Sequence, residues 1–498
     1  MRYIDNNYYL NNKSNIVNNI FLRKRINKNN SDYLKERVKK DYVINDIHLD
    51  INQKEAIYTD EVNTLVLAGA GSGKTLTIVG KIKYLVEELQ INPKEILCIS
   101  FTNDSVNSLK DKIDYDIDIY TFHKLALEVI GDYKKNIVIV NNYLEYIVNE
   151  VFLSIVSNIS TNDLNYFSNT IVSFINLFKN NNYNIDNMNK IVKKNHNKML
   201  ELIKKIYVIY EDELHSTNYV DFNDIINLSI KLIEDYGLKR YYKYIIIDEY
   251  QDISLNRYKL IKTIKDSCNT KLFVVGDDYQ SIYRFAGSNM NMIVKFKKYF
   301  GYTKTIKIVN TYRNSYELIK VASKFIMKNK YQIKKDLMSS KHNYKPIKII
   351  YYKKNESVKL KKILSDFNEK MMILGRNNFN ITNLLDEDLI SSEDKIIYKN
   401  KEYVFKTIHK SKGLEADNVV ILNLSNNYYG FPNKKNEDLN SLLLPKEKYL
   451  YEEERRLFYV ALTRTKNNLY LLVDKDNPSI FVKEIIRNSK KYNEVIDL

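Results

Sequence analysis

The sequence contains no tryptophan and, among its 498 residues, only two cysteines, five prolines and twelve glycines. Cys98 and Cys268 lie in separate segments without metal-ligand spacing, which argues against a disulfide framework or a cysteine metal site and favours a reducing compartment. No run of about 18 apolar residues occurs, so a membrane-spanning helix is excluded. Residues 1–19 are polar and rich in asparagine, which is untypical of a secretory signal peptide. We therefore expect a cytoplasmic protein without a membrane anchor.

Acidic residues are too few to balance the basic ones. Asp and Glu number 61 against 78 Lys and Arg, which gives a formal net charge of +17. This excess favours an anionic partner such as nucleic acid. The alternative is a generally basic protein whose charge has no specific function.

A glycine-rich segment, Leu67 to Thr75 (LAGAGSGKT), follows a short apolar run and precedes a helix-like stretch. This order of strand, loop and helix is the context that a phosphate-binding P-loop requires. Backbone N–H groups at a helix N-terminus attract phosphate, Lys74 adds a full positive charge, and the hydroxyl of Thr75 can ligate Mg²⁺. The strict pattern has glycine at position 68, where this chain has alanine. We expect the nucleotide contacts to come from Ala70, Gly71, Ser72, Gly73, Lys74 and Thr75.

Two carboxylates follow a second apolar run, Ile245 to Ile247. An apolar strand of this kind places Asp248 at its carboxyl end, the edge where a parallel sheet binds phosphate ligands. Asp248 is therefore the predicted Mg²⁺ ligand. Glu249 is the predicted base that orients and deprotonates the attacking water. The two motifs together predict an NTP-hydrolysing enzyme.

A third strand also ends in a polar loop, Gly276 to Gly287. The amide of Gln280 is placed to sense the γ-phosphate. Tyr283 and Phe285 flank Arg284, and aromatic rings beside basic groups are typical of surfaces that stack the bases of a single strand. Taken alone, these aromatic residues are more typical of a protein core.

Short β-rich runs alternate with helical patterns along most of the chain, which predicts a parallel α/β fold. Apolar residues at helical spacing fill residues 124–240 and predict a helical insertion, and a further helix is predicted at 32–43. The predicted strands are 65–67, 96–101, 117–120, 244–247 and 272–275 in a first set, and 305–309, 347–352, 371–374, 419–424 and 469–473 in a second. Two α/β domains that meet near residue 303 are the simplest interpretation, although so few prolines and glycines do not mark the boundary sharply.

The motifs together resemble those of superfamily 1 helicases of the UvrD/Rep type and, within that family, the helicase IV branch; they extend from about Leu49 to Lys466. The resemblance implies two RecA-like parallel-sheet domains around a P-loop NTPase core. The implied division is an N-terminal appendage (1–45), a first ATP-binding domain (46–123 with 241–302), a helical insertion (124–240) and a second helicase domain (303–498). Two second-domain motifs of the family match Thr311 to Arg313 and Thr407 to Asp417. Larger relatives carry another insertion between these motifs, but here only about 95 residues separate them, so we expect that insertion to be absent.

The resemblance also implies roles for individual residues. In the segment 49–57, Gln53 would read the adenine edge. In the second domain, Arg313 and Arg464 would reach the phosphates as arginine fingers, and Glu415 would contact the nucleotide. The implied catalytic set is Lys74, Glu249, Gln280, Arg313 and Arg464, and the implied nucleic-acid contacts are Phe101, Asn103, Thr121, His123, Tyr283, Phe285 and His409. Thr465 stands where alanine is usual in the family.

The leading hypothesis is an ATP- and Mg²⁺-dependent helicase that binds single-stranded and tailed duplex DNA in DNA repair or recombination. Its direction, 3′ to 5′, comes from the resemblance alone. One alternative is a motor that remodels a protein–nucleic-acid complex, for example one that contains RNA polymerase. Another is an ATPase subunit of a repair or defence complex, which would show weak activity without its partner.

Overall fold

A computed structural model describes residues 3–4, 16–133, 137–155, 159–366, 371–392, 395–434 and 439–497. The elements up to residue 121 are α1 (Ile16–Arg37), β1 (Val43–Ile44), β2 (Ile47–His48), α2 (Ile51–Tyr58), β3 (Asn63–Ala68), α3 (Lys74–Lys83), β4 (Ile96–Ser100), α4 (Asn103–Lys110) and β5 (Asp118–Thr121). The next are α5 (Phe122–Tyr133), β6 (Val138–Ile139), α6 (Tyr143–Ile155), α7 (Thr161–Asn180), α8 (Ile185–Asn195), α9 (Lys198–Thr217), β7 (Tyr219–Val220) and α10 (Phe222–Tyr236).

The chain continues with β8 (Tyr244–Ile247), α11 (Leu255–Cys268), β9 (Lys271–Gly276), α12 (Asn291–Val294), α13 (Phe296–Phe300) and β10 (Lys304–Ile308). The last elements are α14 (Tyr316–Ile326), β11 (Ile347–Tyr352), α15 (Glu356–Asp366), β12 (Met371–Gly375), α16 (Phe379–Thr382), β13 (Leu389–Ser392), β14 (Lys395–Tyr398), β15 (Lys401–Thr407), β16 (Ala416–Leu424), α17 (Glu452–Leu462), β17 (Thr465–Asp474), α18 (Ile480–Asn488) and β18 (Asn493–Val495).

The first sheet is parallel throughout, with strand order β10-β3-β9-β8-β4-β5. Its central strands are buried on both faces, as expected of a parallel sheet covered by helices. Because neighbouring strands run in the same direction, their carboxyl ends meet along one edge. That edge carries the P-loop after β3, Asp248 after β8 and the loop of Gln280 after β9.

The second sheet has the order β13-β14-β15-β12-β16-β17-β11-β18. Neighbouring strands pair in parallel along the part β15-β12-β16-β17-β11-β18. Strands β13 and β14 extend the sheet beyond β15 as an antiparallel edge. The predicted α/β class is therefore confirmed, with one fully parallel sheet and a second sheet that is parallel except at this edge. Sequence reasoning did not find β13 and β14, which have four residues each, or β15, in which polar residues interrupt the apolar ones.

One predicted strand belongs to the other domain. The segment predicted at 305–309 was assigned to the second α/β domain, but β10 pairs with β3 in the first sheet, with Ile306 opposite Val66. Ile306 and Ile308 are buried in the core of that sheet. The boundary predicted at residue 303 is therefore too early, because the burial of these side chains against β3 places β10 in the first sheet, which extends to Ile308.

The predicted helical insertion contains two structural parts. Helices α6 to α9 form a separate core, which includes Phe174, Phe178 and Tyr210. Helices α5 and α10 pack instead on the first sheet, where Leu125 and Ile226 are buried. Strands β6 and β7 pair at the junction between the two parts. We propose that the inserted unit begins near β6 and ends near β7.

The N-terminal helix also differs from the prediction. A helix was predicted at 32–43, whereas α1 ends at Arg37 and a β1–β2 hairpin follows. Asn45 and Asp46, which both have positive φ, form the two-residue turn of that hairpin. Residues 5–15 of the predicted appendage lie outside the described residues. No helix in the described ranges combines the length and apolar character that a membrane crossing requires.

Candidate nucleotide site and strand-binding surface

The P-loop conformation depends on glycine at two positions. Gly71 and Gly73 have φ values of 69° and 77°, a region that side-chain-bearing residues avoid. A Cβ atom on Gly71 would lie 2.5 Å from Cβ of Arg313. Ala68, which replaces the first glycine of the strict pattern, is the buried last residue of β3 and needs no positive φ. This explains why alanine is tolerated there.

Lys74 begins α3 and contacts the acidic strand end directly. Its Nζ atom lies 2.8 Å from Oε1 of Glu249, and both side chains are largely buried. Burial lowers the pKa of Lys74, but Glu249, Asp277 and Asp248 together raise it above its usual value. Burial alone would raise the pKa of Glu249, but the positive charges of Lys74 and Lys412 outweigh this effect, and the net result is a lowered pKa. Both groups are therefore charged at neutral pH.

Asp248 and Thr75 are the residues that would hold Mg²⁺. Asp248 is 5% exposed, and one of its carboxylate oxygens accepts the backbone N–H of Glu249 at 2.8 Å. Burial and the neighbouring Glu249 raise the pKa of Asp248, so a bound cation would offset an unfavourable charge. In the part of the chain that the structure describes, no group of three or more His, Cys, Asp or Glu side chains is arranged to hold a metal. Two protein ligands suit Mg²⁺, which usually takes its remaining ligands from phosphate and water.

Gln53 is bound to the chain at both ends of its amide. Its Oε1 atom accepts the backbone N–H of Asp50 in a capping box, and its Nε2 atom donates to the carbonyl oxygen of Ser72 at 3.2 Å. The side chain is 1% exposed. It therefore supports the P-loop, and the amide keeps one N–H and one lone pair with which it could bind an adenine edge, a contact that stays a prediction.

The segment Thr311 to Arg313 touches the P-loop backbone. The hydroxyl of Thr311 donates to the carbonyl oxygen of Ala70 at 2.7 Å, and the N–H of Tyr312 donates to that of Gly71 at 2.9 Å. The guanidinium of Arg313 binds Glu415 at 2.7 Å. Glu415 therefore contacts a candidate arginine finger, and its predicted contact with the nucleotide stays a prediction.

Arg464 reaches from the second domain to the first. Its guanidinium donates to Oε1 of Gln280 at 3.1 Å, while Nε2 of Gln280 donates to Asp277 at 2.6 Å. Arg464 is 1% exposed, and burial followed by repulsion from Arg313 lowers its pKa to about 9. Arg464 thus keeps its charge at neutral pH and connects the two sheets through Gln280.

Sequence reasoning missed two lysines that bind the same loops. Lys335 is fully buried, and its ammonium group contacts Asp277 at 2.6 Å and also Asp278. Lys412 pairs with Asp252 and donates to the carbonyl oxygen of Gln280 at 2.9 Å. Lys412 lies between His409 and Glu415, two predicted site residues, which was a usable signal, whereas the sequence around Lys335 gave none.

The predicted strand contacts of the first domain cluster at the ends of β4 and β5. Phe101 packs against Phe122 and lies under Arg257, at 5.2 Å from ring centre to guanidinium carbon. Asn103 is exposed at the start of α4, and Thr121 ends β5. Burial and then the charge of Arg257 lower the pKa of His123 to about 4. His123 is therefore uncharged at neutral pH, and its ring packs edge-on against that of Phe222.

Tyr283, Phe285 and His409 come together across the two domains. Phe285 is 54% exposed, and its ring centre lies 5.4 Å from that of His409. The hydroxyl of Tyr283 donates to the carbonyl oxygen of His409 at 3.2 Å. Burial, Arg376 and Lys412 lower the pKa of His409 to about 4. The three rings thus form one aromatic group, which we call the first aromatic platform.

A groove of about 800 Å³ connects this platform to the inserted helices. Its lining includes His123, Asn176, Asn180, Arg257 and Phe285. The lining mixes asparagine amides, aromatic rings and aliphatic side chains, with Arg257 as a basic group and Glu145 and Asp221 as acidic ones. Aromatic rings beside a basic group are typical of surfaces that bind a single nucleic-acid strand.

The second domain also touches the inserted helices. Leu443, between β16 and α17, is 4% exposed and lies in the core of α6 to α9. Its carbonyl oxygen accepts the side-chain amide of Asn181 at 3.1 Å, and Asn440 donates to Ser173 at 2.8 Å. A segment of the second domain is therefore packed against the insertion.

This combination of a P-loop, an acidic strand end and two arginines from the second domain defines a P-loop NTPase with a two-domain motor core. A model of the UvrD/REP helicase N-terminal domain matches residues 49–301, and a model of the viral superfamily 1 RNA helicase core domain matches residues 196–473. The chain belongs to the UvrD/Rep helicase family.

Several curated proteins are similar to this chain. DNA helicase IV of Escherichia coli K12 is 29% identical over 483 residues, which cover 88% of this chain and 69% of that protein. The ATP-dependent DNA helicase Rep of Buchnera aphidicola subsp. Schizaphis graminum is 31% identical over 66% of this chain and 53% of its own length. PcrA of Bacillus subtilis is 28% identical over 63% of this chain and 44% of its own length. The chain thus spans about half the length of the Rep and PcrA relatives, and the predicted family is confirmed.

Proposed function

We propose that this chain is an ATP- and Mg²⁺-dependent DNA helicase that moves along a single strand and separates tailed duplexes. The observation that carries the proposal is the contact between Arg464 and Gln280, at 3.1 Å, beside the Lys74–Glu249 pair. Arginines from one domain that meet phosphates held by the other make domain closure depend on the bound nucleotide. Binding and hydrolysis of ATP would then close and open the cleft between the two sheets.

The strand is the second element of the proposal. The aromatic platform of Tyr283, Phe285 and His409 spans the same two domains as the nucleotide cleft. A change in that cleft would therefore move the two sides of the platform relative to each other. The net charge of +17 favours a polyanion. We propose movement from 3′ to 5′ in the cytoplasm, in DNA repair or recombination, since the similar proteins are DNA helicases.

Steady-state ATP hydrolysis tests the proposal. The purified chain is assayed with Mg²⁺, alone and with single-stranded DNA or RNA of equal length, and Glu249→Gln serves as the blank. We expect strong stimulation by DNA, followed by unwinding of a 3′-tailed duplex in preference to a 5′-tailed one. Hydrolysis that neither nucleic acid stimulates would contradict the strand motor and favour a protein-remodelling or subunit role. Stimulation by RNA alone would contradict the choice of DNA.

A further inference from the structure

Three exposed aromatic rings form a cluster on the second domain. Phe379, Tyr428 and Tyr429 are 37%, 47% and 53% exposed. The ring centres of Phe379 and Tyr429 lie 5.6 Å apart, and those of Tyr428 and Tyr429 lie 4.8 Å apart. None of the three belongs to a hydrophobic core formed by the described residues. Clustered exposed apolar groups of this kind usually mark a binding surface.

The cluster lies on the same sheet edge as His409. In the second sheet, β12 lies between β15 and β16, and all three strands are parallel, so their carboxyl ends are neighbours. His409 follows β15, and Phe379 follows β12 as the first residue of α16. Tyr428 and Tyr429 lie in the loop that follows β16. The N–H of Ile408 donates to the carbonyl oxygen of Gly375 at 3.0 Å, which joins the first two of these loops.

An ion pair fixes the loop between the two aromatic groups. Arg376 binds Glu454 through two nitrogens, at 2.9 and 2.6 Å, and Glu454 also accepts the backbone N–H of Asn433 at 2.9 Å. The loops after β12 and β16 are therefore both held against α17. Lys410 is exposed on the adjacent loop, and Lys434 lies five residues beyond Tyr429. The edge thus combines aromatic faces with basic groups, which is the composition of a single-strand surface.

We propose that Phe379, Tyr428 and Tyr429 form a second aromatic platform, on which the second domain stacks bases of the strand that leaves Phe285 and His409. This inference rests on the proposed function, because it extends the same strand path. A strand long enough to reach both platforms would be held by each domain separately.

The absence of tryptophan makes the test specific, since any introduced tryptophan is the sole indole of the chain. Three full-length variants are compared: Phe379→Trp on the second platform, Phe285→Trp on the first, and Tyr344→Trp as a control. Tyr344 is 74% exposed and precedes β11, so it lies at the opposite edge of the same sheet. Indole fluorescence is titrated with oligodeoxythymidylates of about 4 and about 16 nucleotides, the range that single-strand sites cover.

We expect the long oligonucleotide to quench Phe379→Trp and Phe285→Trp well beyond Tyr344→Trp. Quenching of Phe285→Trp alone would overturn the second platform and leave the proposed function standing. If neither variant is quenched beyond the control, both proposals fail.

A second measurement separates stacking from a structural effect. Tyr429→Ala should weaken binding of the long oligonucleotide about tenfold and should leave binding of the short one nearly unchanged, because the short strand is held on the first platform. Tyr429→Phe keeps the ring and should restore the affinity. An equal loss for both lengths, or no restoration by phenylalanine, would overturn the proposal.

Discussion

The Nζ atom of Lys74 lies 2.8 Å from Oε1 of Glu249, so the P-loop ammonium group and the carboxylate after β8 form a buried ion pair. Both groups have proposed partners elsewhere, since the lysine would bind phosphate and the glutamate would bind water. Nucleotide binding would therefore exchange partners: phosphate takes the ammonium group, and the carboxylate becomes available to the attacking water. The site would then form its general base only when ATP is present.

This exchange predicts opposite effects of two substitutions on ATP affinity. Glu249→Gln removes the charge that competes with phosphate for Lys74, so we expect ATP to bind at least as tightly as in the unaltered chain. Turnover should fall about 10²- to 10⁴-fold, because the amide cannot accept the proton. Lys74→Ala should lose both affinity and turnover. Equilibrium titration with a fluorescent ATP analogue and steady-state hydrolysis measure the two quantities, and equal affinity losses in both variants would contradict the exchange.

The exposed ring of Phe285 predicts a selective defect in strand binding. Phe285→Ala removes a stacking face that is 54% exposed and contacts His409, and loss of one stacked base costs about 1–3 kcal/mol. We expect weaker binding of single-stranded DNA and slower unwinding, with a smaller change in hydrolysis without DNA. Fluorescence anisotropy with labelled DNA gives the affinity. Phe285→Tyr is the matched control, and a variant that loses only its DNA-independent hydrolysis would rule out the stacking role.

Local sequence patterns predicted the nucleotide site well because its groups follow short motifs at strand ends. The P-loop needs a strand, glycines and a lysine within nine residues, and Asp248 and Glu249 directly follow three isoleucines. The sequence failed where long-range packing decides. Strand β10 could have joined either sheet, and its pairing with β3 follows from burial that no local pattern encodes. Lys335 looks like an ordinary surface lysine, and only the fold brings it to Asp277, 58 positions away.

The contact of Leu443 with the inserted helices predicts a local change in stability. Leu443→Ala removes a buried side chain from the core of α6 to α9, and such substitutions cost about 2–5 kcal/mol. We expect faster hydrogen exchange of the backbone amides in α7, which carries Ser173. The adjacent Leu442 is 41% exposed, so Leu442→Ala should change the exchange little. Identical exchange in the two variants would mean that this segment does not stabilise the insertion.

The burial of Lys335 predicts a large loss of stability when its charge is removed. Its ammonium group compensates Asp277 and Asp278, all three side chains are fully buried, and the ring of Tyr279 lies 3.6 Å from the ammonium nitrogen. Lys335→Met removes the ammonium group that contacts both adjacent carboxylates, and breaking a buried pair in this way costs about 3–5 kcal/mol. We expect a lower midpoint of thermal unfolding. Because Asp277 also binds Gln280, we also expect slower ATP hydrolysis.

Two comparisons separate the charge of Lys335 from its packing. Lys334, the preceding residue, has a side chain that is 71% exposed, so Lys334→Met makes the same chemical change at the surface and should leave the unfolding midpoint nearly unchanged. Asp278→Asn, added to Lys335→Met, removes one of the two carboxylates that repel each other and should recover part of the lost stability. If the double variant is no more stable than Lys335→Met, the loss comes from packing around the aliphatic chain of Lys335. The ammonium group would then not be what holds the loop of Gln280 in place.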